Sequence, residues 1–291
     1  MMKLKLYYKS IGYIAFAAVI ALCATALPAH AGFENVSLRY DVPAPRKMDL
    51  SYDVYAGGFK ALNATMELDL DKKAYDMAIE AKTQGFIGNL FPWKATYSTS
   101  GHAEEGVLIP TMHLARSTWR DKEKLTEMDY DPNGNLLKTT VQENGKTTTD
   151  RDIEADMVKD SVDMLTGALL MMQNTKNTSQ CKGSFPVYDG KRRFNLTLKD
   201  EGTEIIKKSD YSSFSGEAIR CTIEVEPVAG FKAKDKKRGW MAVQAHTEER
   251  KKLPTLWLAQ LEKDGPAVPV RMEIASAYGA VVAHLSDARK E

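Results

Sequence analysis

Alternation of apolar and polar positions is the dominant pattern of this chain. Residues 66–70 place Met, Leu and Leu at every second position, residues 71–73 are polar, and residues 75–81 alternate again. This pattern predicts a β-hairpin with one buried face. The same period of two recurs at 93–99, 108–114, 194–198, 219–225, 256–258, 268–274 and 281–285. The turn-forming stretches 131–134 (Asp-Pro-Asn-Gly) and 144–145 (Asn-Gly) separate further strands. The chain is therefore predicted to be mainly β.

One segment follows a helical period instead. Apolar side chains recur at spacings of four, three, four and three, at Val158, Val162, Leu165, Leu169 and Met172. The spacing predicts an amphipathic helix at about 156–173, with Asp160 and Asp163 on its polar side. The helix is rich in methionine, which suits a pliable surface for an apolar ligand. The alternative is a helix that packs on the sheet as part of a filled core.

The N-terminus has the features of an export signal. Lys3, Lys5 and Lys9 precede an apolar run at 11–26, and Ala29-His30-Ala31 follows. This order predicts a signal peptide at 1–31, cleaved after Ala31, since the run is shorter than the ~20 residues of a spanning helix. The mature chain, 32–291, shows no repeat or linker and is predicted to be a single β-rich domain that works outside the cytoplasm.

Export changes the interpretation of charge and cysteine content. Without the three signal lysines, 37 basic residues stand against 39 acidic ones, a formal charge of −2. This balance argues against a nucleic-acid partner, which normally needs a basic face. Two cysteines remain, Cys181 and Cys221. In an oxidising compartment they are predicted to form a disulfide, with two buried free thiols as the alternative. Cys221 alternates with apolar neighbours, so the bridge is expected to be buried.

One loop concentrates positive charge. Residues 232–238 contain four lysines and one arginine, interrupted by Asp235. Such a loop can make a peripheral contact with anionic lipid headgroups. A solvated loop is the competing interpretation, because the chain as a whole is not basic.

Motifs for catalysis and metal binding are missing from the sequence. It has no G-x-S-x-G, no H-E-x-x-H and no phosphate-binding glycine loop, and the four histidines left after processing are far apart. Hence no catalytic residue, metal site or cofactor is predicted. A hydrolase of envelope polymers stays open, because a carboxylate pair in a cleft leaves no mark on the sequence.

Several segments together resemble a known family. They are Gly106-Val-Leu-Ile-Pro110, residues 185–194 (FPVYDGKRRF), Leu256-Trp-Leu-Ala259, and Pro269-Val-Arg-Met272 followed by Tyr278-Gly279. In this order, behind a signal peptide, they resemble the bacterial family named domain of unknown function 3108, over about 48–288. The resemblance implies a periplasmic protein with a strongly curved antiparallel sheet, an open or spiral barrel, around a helix. It also implies likeness to periplasmic lipoprotein carriers and to spiral-sheet envelope-integrity proteins, an analogy at the level of fold.

These observations lead to a hypothesis about function. We expect a non-catalytic periplasmic protein that supports the cell envelope by binding an apolar ligand, such as a lipid or lipoprotein acyl chain, or an envelope protein. The residues expected to line an apolar pocket are Leu165, Leu169 and Met172 on the helix, with Trp93 and Trp257 on the facing sheet. The alternatives are a scaffold module with a filled core and the hydrolase named above. The sequence leaves the oligomeric state open.

Overall fold

The computed structural model describes residues 40, 45–233, 235, 239–249, 252–276 and 279–290. The predicted signal peptide with its cleavage after Ala31 lies outside these residues. So do four of the five cations of the predicted loop at 232–238, of which Lys232 is described. Within the described ranges, no helix has both the length and the hydropathy needed to cross a bilayer.

Fourteen strands and four helices make up the described part of the chain. In order they are β1 (Arg46–Ala56), β2 (Phe59–Leu70), β3 (Ala74–Thr83), α1 (Gly85–Leu90), β4 (Trp93–Glu104), β5 (Val107–Trp119), β6 (Lys122–Tyr130), β7 (Leu136–Glu143), β8 (Lys146–Asp150), α2 (Ala155–Val158), α3 (Met164–Thr178), β9 (Gly183–Tyr188), β10 (Arg193–Ile206), β11 (Gly216–Ala229), α4 (Gly239–Glu249), β12 (Thr255–Gln260), β13 (Ala267–Ser276) and β14 (Gly279–Lys290).

The strands of this described part form one antiparallel sheet. Its order is β8-β7-β6-β5-β4-β3-β2-β1-β14-β13-β12-β11-β10-β9, so the first strand pairs with the last. Both edge strands, β8 and β9, flank the segment that contains α3. The chain that leaves β8 reaches β9 at Val162, ahead of α3, and α3 then leads through the interior to the start of β9. The mainly β, curved antiparallel fold predicted from the sequence is confirmed.

Tight turns hold consecutive strands in register. Asn144 and Gly145 both have positive φ, 52° and 75°, as the predicted two-residue hairpin between β7 and β8 requires. At the β6–β7 turn, Asp131 Oδ1 accepts the backbone N–H groups of Asn133 and Asn135, each at 2.8 Å. The carboxylate thus stabilises the turn locally.

The sheet coils over itself without closing. The turn between β9 and β10 reaches the inner side of β6 and β7, where a methyl group added to Gly190 would come within 2.6 Å of Thr126 Cγ2. Tyr188, at the end of β9, is buried together with Met128 and Tyr130 of β6. The edge that begins with β9 therefore packs against strands near the opposite edge, and α3 lies in the enclosed space.

The predicted helix is present with shifted bounds. α2 covers only Ala155–Val158, and the chain then leaves the helical conformation at Asp160, whose φ is 56°. Val162 forms a parallel bridge to Val187 of β9, donating to Pro186 O at 3.1 Å and accepting from Tyr188 N–H at 2.9 Å. Val158 and Val162 continue the apolar spacing of α3 along the sequence. Val162, however, has an extended backbone and contacts β9 as a strand residue does.

The polar side expected for this helix is largely absent. Ten of the fifteen residues of α3 are buried, and they include the polar Thr166, Gln173, Asn174 and Thr175. Asp163, expected to face water, is fully buried, which corrects the prediction. The polar stretch 174–178 forms the last turns of α3, with Asn174 and Thr175 buried and residues 177–178 exposed.

Helix α4 was not predicted, since residues 231–240 have the composition of a loop. It begins at Gly239 and buries Trp240, Met241 and Val243. β11 pairs with β12 only over 219–222. Beyond that stretch, Gln244 Oε1 on α4 accepts the Val225 backbone N–H at 3.2 Å. The helix thus satisfies a backbone donor that the sheet leaves open.

Candidate functional site: an apolar cavity beside helix α3

A buried carboxylate fixes the start of α3. Asp163 is the N-cap residue, and its Oδ1 accepts the backbone N–H groups of Leu165 at 2.9 Å and Thr166 at 3.1 Å. An N-cap of this type satisfies helix donors that have no partner within the helix. The negative charge also lies at the positive end of the helix dipole.

The same carboxylate binds the sheet. Thr99 on β4 donates its hydroxyl to Asp163 Oδ1 at 2.7 Å, and Nδ1 of His113 on β5 lies 3.0 Å from that oxygen. Thr166 donates to Asp163 Oδ2 at 2.6 Å, and the Tyr75 hydroxyl lies 2.8 Å from Thr166 Oγ1. All five residues are buried. The network joins α3 to three strands, and we refer to these five residues as the Asp163 network.

Electrostatics within this network favour the charged carboxylate. Burial acts to raise the pKa of Asp163, but the neighbouring His113 and the hydrogen bonds from Thr166 more than offset it. The pKa of the Asp163 carboxyl therefore lies below its usual range. A buried charge is tolerated in a protein when it is paired and hydrogen-bonded in this way.

The network does not have the geometry of a nucleophile with its base. In an acyl-transfer triad, one imidazole nitrogen contacts the nucleophile and the other contacts the acid. Here Nδ1 of His113 lies near both groups, 2.6 Å from Thr99 Oγ1 and 3.0 Å from Asp163 Oδ1. The arrangement anchors the helix and leaves no activated hydroxyl in a cleft.

Next to this anchor, α3 borders an apolar cavity of about 80 Å³. The strands around it come from both halves of the sheet, and include β1, β2, β3, β10, β11, β12, β13 and β14. Its most distinctive feature is the number of thioether side chains on its wall: Met66, Met77, Met164, Met171, Met172 and Met272. Ala64, Ala168 and Ala283 contribute small side chains. Short residues leave the space open, and methionine gives it a wall that adapts in shape.

Few polar groups border the cavity. Tyr52 donates its hydroxyl to Pro269 O at 3.0 Å, and burial raises its pKa above the usual range, so it stays protonated. Arg271 borders the cavity as well, and its Nη2 donates to Glu273 Oε2 at 2.8 Å. Its guanidinium also lies over the Trp257 ring, 4.6 Å from the centroid. The Tyr52 hydroxyl and Arg271 Nη2 are thus engaged with protein partners, whereas the buried Arg271 Nε has no hydrogen-bond partner among the described residues.

The five residues predicted to form a pocket are all buried, but they are not all at this cavity. Leu165 and Met172 line it. Leu169 packs into the core on another side of α3, and Trp93 and Trp257 lie in the core outside the cavity wall. Leu256 lines the cavity, so the next residue, Trp257, points to the other side of β12, where its indole N–H donates to Glu204 at 3.0 Å. That these residues bind a ligand stays a prediction.

Sequence reasoning missed the sheet residues of the wall. Tyr52 and Val54 of β1 line the cavity, as do Met66 of β2 and Met77 and Ile79 of β3. The alternation in β2 and β3 identified Met66 and Met77 as inward-facing. The position of α3 decides which inward-facing residues border the cavity and which are packed against other side chains. No pattern in the sequence indicates that position.

The cysteine pair fastens the other end of α3. The sulfur atoms of Cys181 and Cys221 are 2.15 Å apart and both residues are fully buried. The proximity expected from the sequence is confirmed. The bridge ties the chain just after α3 to β11, two residues from Ile223 on the cavity wall. The backbone N–H of Cys181 also donates to Asp200 of β10 at 2.7 Å. Thus the cavity-lining helix is held at both ends.

Comparison with known protein families assigns the chain to a family. The family model described as "Protein of unknown function (DUF3108)" matches residues 51–286, most of the chain. The chain is a DUF3108 protein. This confirms the resemblance found in the sequence. Two of the segments that show the resemblance lie on β12 and β13, where Trp257 pairs with Arg271. These two segments of the DUF3108 protein contribute four residues to the cavity wall: Leu256, Pro269, Arg271 and Met272.

Other comparisons add little to the family assignment. None of the curated proteins matches this DUF3108 protein. A similar solved structure is described as the crystal structure of a β-barrel-like protein of domain of unknown function DUF1849 from Brucella abortus. It is 9% identical, with a TM-score of 0.43, and the match covers 85% of this chain and 98% of that chain. Within the described ranges, no three His, Cys, Asp or Glu side chains form a group that could hold a metal ion.

Proposed function

We propose that this DUF3108 protein is an exported, non-catalytic envelope protein that binds an apolar chain, such as a lipid or lipoprotein acyl chain, in the cavity beside α3. The observation that carries the proposal is the wall of six methionines around unfilled space. Ligand pockets in proteins are concave, mostly apolar and provided with few polar groups. The paired cysteines fit export, since disulfides persist in oxidising compartments.

Energetics favour a ligand in this space. An unfilled apolar cavity costs a protein ~24 cal/mol for each Å³. At about 80 Å³, the unfilled space costs ~2 kcal/mol, and an apolar group that enters regains this free energy. The volume is below the ~300–1,000 Å³ typical of pockets for drug-sized ligands. The methionine side chains must therefore change rotamer to admit a whole acyl chain, while the fastened ends of α3 keep the helix in place.

Lipid analysis and a binding titration test the proposal. The mature protein, purified from the periplasm, is extracted and analysed by native mass spectrometry for bound lipid, and then titrated with a fluorescent fatty acid. We expect a bound lipid or saturable binding of the probe. Protein that carries no lipid and binds no probe would contradict the proposal.

Two variants locate the binding. Ala168 lines the cavity from α3, so Ala168→Leu fills part of the space and is expected to weaken probe binding about tenfold. Met128 is buried in a separate cluster away from the cavity. Met128→Leu is the matched control and should bind as the unaltered protein does. Equal binding by both variants would place the probe elsewhere.

A further inference from the structure

Exposed apolar side chains gather at one end of the strands. Phe86 and Leu90 of α1 are 73% and 46% exposed, and Phe59, at the start of β2, is 74% exposed. The two segments are neighbours, because Gln84 N–H donates to Ala61 O at 2.9 Å. Exposed large apolar residues grouped in this way mark an interaction surface more often than scattered ones do. We call these three residues the apolar rim.

The α1 loop has a fixed shape that presents these side chains outward. Thr83 Oγ1 donates to Phe91 O at 2.9 Å and accepts the Trp93 backbone N–H at 3.0 Å, which closes the base of the loop. A side chain on Gly88 would meet Thr83 O at 2.9 Å, so the helix can lie this close only with glycine there. On the other side, the Phe91 ring stacks on Trp119, with centroids 6.4 Å apart. These contacts fix the loop in a shape that leaves Phe86 and Leu90 exposed to solvent.

Cationic residues lie beside the apolar rim. Lys82 and Lys94 are direct cross-strand neighbours on β3 and β4, and Arg120 follows β5 at the same end. All three are exposed, and among the described residues no carboxylate lies within 4 Å of their charged nitrogens. Like charges directly opposite on adjacent strands destabilise a sheet. This pair of lysines has no ion-pairing carboxylate among the described residues, which favours an anionic partner.

A polar pocket connects the two features. It has a volume of about 360 Å³ and lies between α1 and the adjoining strand ends. Lys94 and Arg120 line it, together with hydrogen-bonding side chains of Thr83, Gln84, Asn89 and Thr118. Asp121, next to Arg120, is the acidic residue of that turn. The pocket combines two cations with neutral donors beside an apolar protrusion.

We propose that this end of the molecule docks on the surface of a bilayer that contains anionic phospholipid. Phe59, Phe86 and Leu90 enter the interfacial region, where aromatic and aliphatic side chains are favoured. Lys82, Lys94 and Arg120 meet the lipid phosphates, and the polar pocket accommodates a headgroup. A second copy of the chain fits this surface less well, because a symmetric contact would bring the cations of both copies together.

Vesicle flotation tests the docking. The mature protein is mixed with vesicles of phosphatidylcholine alone, or of phosphatidylcholine and phosphatidylglycerol in equal parts. We expect binding to the anionic vesicles, weakened by salt because surface charges are screened. Absence of binding, or equal binding to both vesicles, would overturn the proposal.

Paired variants separate the apolar and the charged contributions. Phe86→Ser with Leu90→Ser should reduce binding at least tenfold, whereas Val107→Ser with Leu137→Ser should leave it unchanged. The control pair is 57% and 55% exposed and lies at the opposite ends of the strands. Lys94→Gln and Arg120→Gln should each reduce binding about fivefold, and Lys72→Gln, in the distant β2–β3 turn, should have no such effect. Equal losses in test and control variants would contradict docking through this surface.

Two further measurements distinguish other outcomes. A concentration-dependent dimer that Phe86→Ser abolishes would assign the surface to a second copy and overturn the proposal. The docking does not rest on the cavity, so Ala168→Leu should bind anionic vesicles as well as the unaltered protein does. Loss of vesicle binding and loss of acyl-chain binding can therefore be observed independently.

Discussion

The two ends of α3 are held by different chemistry, and the stretch between them borders a cavity. At the start, Asp163 makes hydrogen bonds to the helix and to β4 and β5. After the end, Cys181 is covalently bound to Cys221 on β11. Between these points, one face of α3 borders the methionine-lined cavity. The position of the helix is therefore held by contacts at its two ends and not by filling of the space beside it.

This division of tasks explains how a void can persist in the core. A helix held only by apolar packing would shift into an empty space, since collapse lowers the cost of a cavity. Here the directional bonds at Asp163 and the bridge at Cys181 oppose that shift. Under the proposed function, the cavity would be filled and emptied without loss of the surrounding fold.

The largest effect is expected from the covalent end. In the chain-entropy model a disulfide that spans 40 positions contributes ~4 kcal/mol to the free energy of unfolding. The double substitution Cys181→Ala and Cys221→Ala should therefore lower that free energy by ~4 kcal/mol, measured by urea unfolding. Reduction of the unaltered protein serves as the comparison and should give a similar loss. A change below ~1 kcal/mol would mean that packing alone holds this end of α3.

The hydrogen-bonded end is expected to come second. Asp163→Asn removes the charge that pairs with His113 and forces an amide group onto the donors of Thr99 and Thr166. We expect a loss of ~3 kcal/mol in the free energy of unfolding, because breaking a buried charged network leaves uncompensated polar groups. Asp160→Asn is the control, since Asp160 is exposed, and should change it by less than ~0.5 kcal/mol. Equal effects of the two substitutions would show that the network does not anchor the helix.

Filling the space between the two ends should have a smaller effect of opposite sign. Ala168→Leu adds apolar carbon atoms where the cavity lies. We expect a gain of ~1 kcal/mol in the free energy of unfolding, read from the urea midpoint, as cavity-filling substitutions commonly give. A loss would indicate overpacking, and thus a wall more rigid than its methionines suggest.

The smallest effect expected is the acid dependence of the Asp163 end. The pKa of Asp163 is lowered in the folded protein, so above the ordinary carboxyl range the group contributes stability, which is lost as pH falls through the folded pKa. Urea midpoints measured from pH 5 downward should therefore fall more steeply for the unaltered protein than for Asp163→Asn. If the urea midpoints of both proteins fell equally with pH, Asp163 would not be a source of acid sensitivity.

Much of the sheet could be predicted from the sequence, because local chemistry specifies it. Alternation identified the hairpin of β2 and β3, and the Asn144-Gly145 turn has the positive φ values expected of it. The helix was found from its period, but its start was placed too early, because Val162 has helical spacing and yet pairs with β9. The short helix α1 carries no periodic pattern that could reveal it.

The candidate site was predicted only in part. Leu165 and Met172 were expected to line a pocket and do border the cavity, whereas Trp257 lies on the other side of its strand. Alternation shows that adjacent residues point to opposite sides, but it does not show which side is enclosed when both are buried. The Asp163 network could not be predicted, since Thr99, His113 and Asp163 are distant in the chain.

The fold class, the turns and the family resemblance follow from the sequence, because each depends on local spacing or on the residues of short segments; the cysteine pair was expected from export. Three features depend on the tertiary structure: α3 lies inside the coiled sheet, Asp163 is a buried anchor and not a solvated side chain, and six methionines face one cavity. The physical reason is that enclosure depends on contacts between strands distant in sequence. Alternation along one strand carries no information about its partners on the far side of the core.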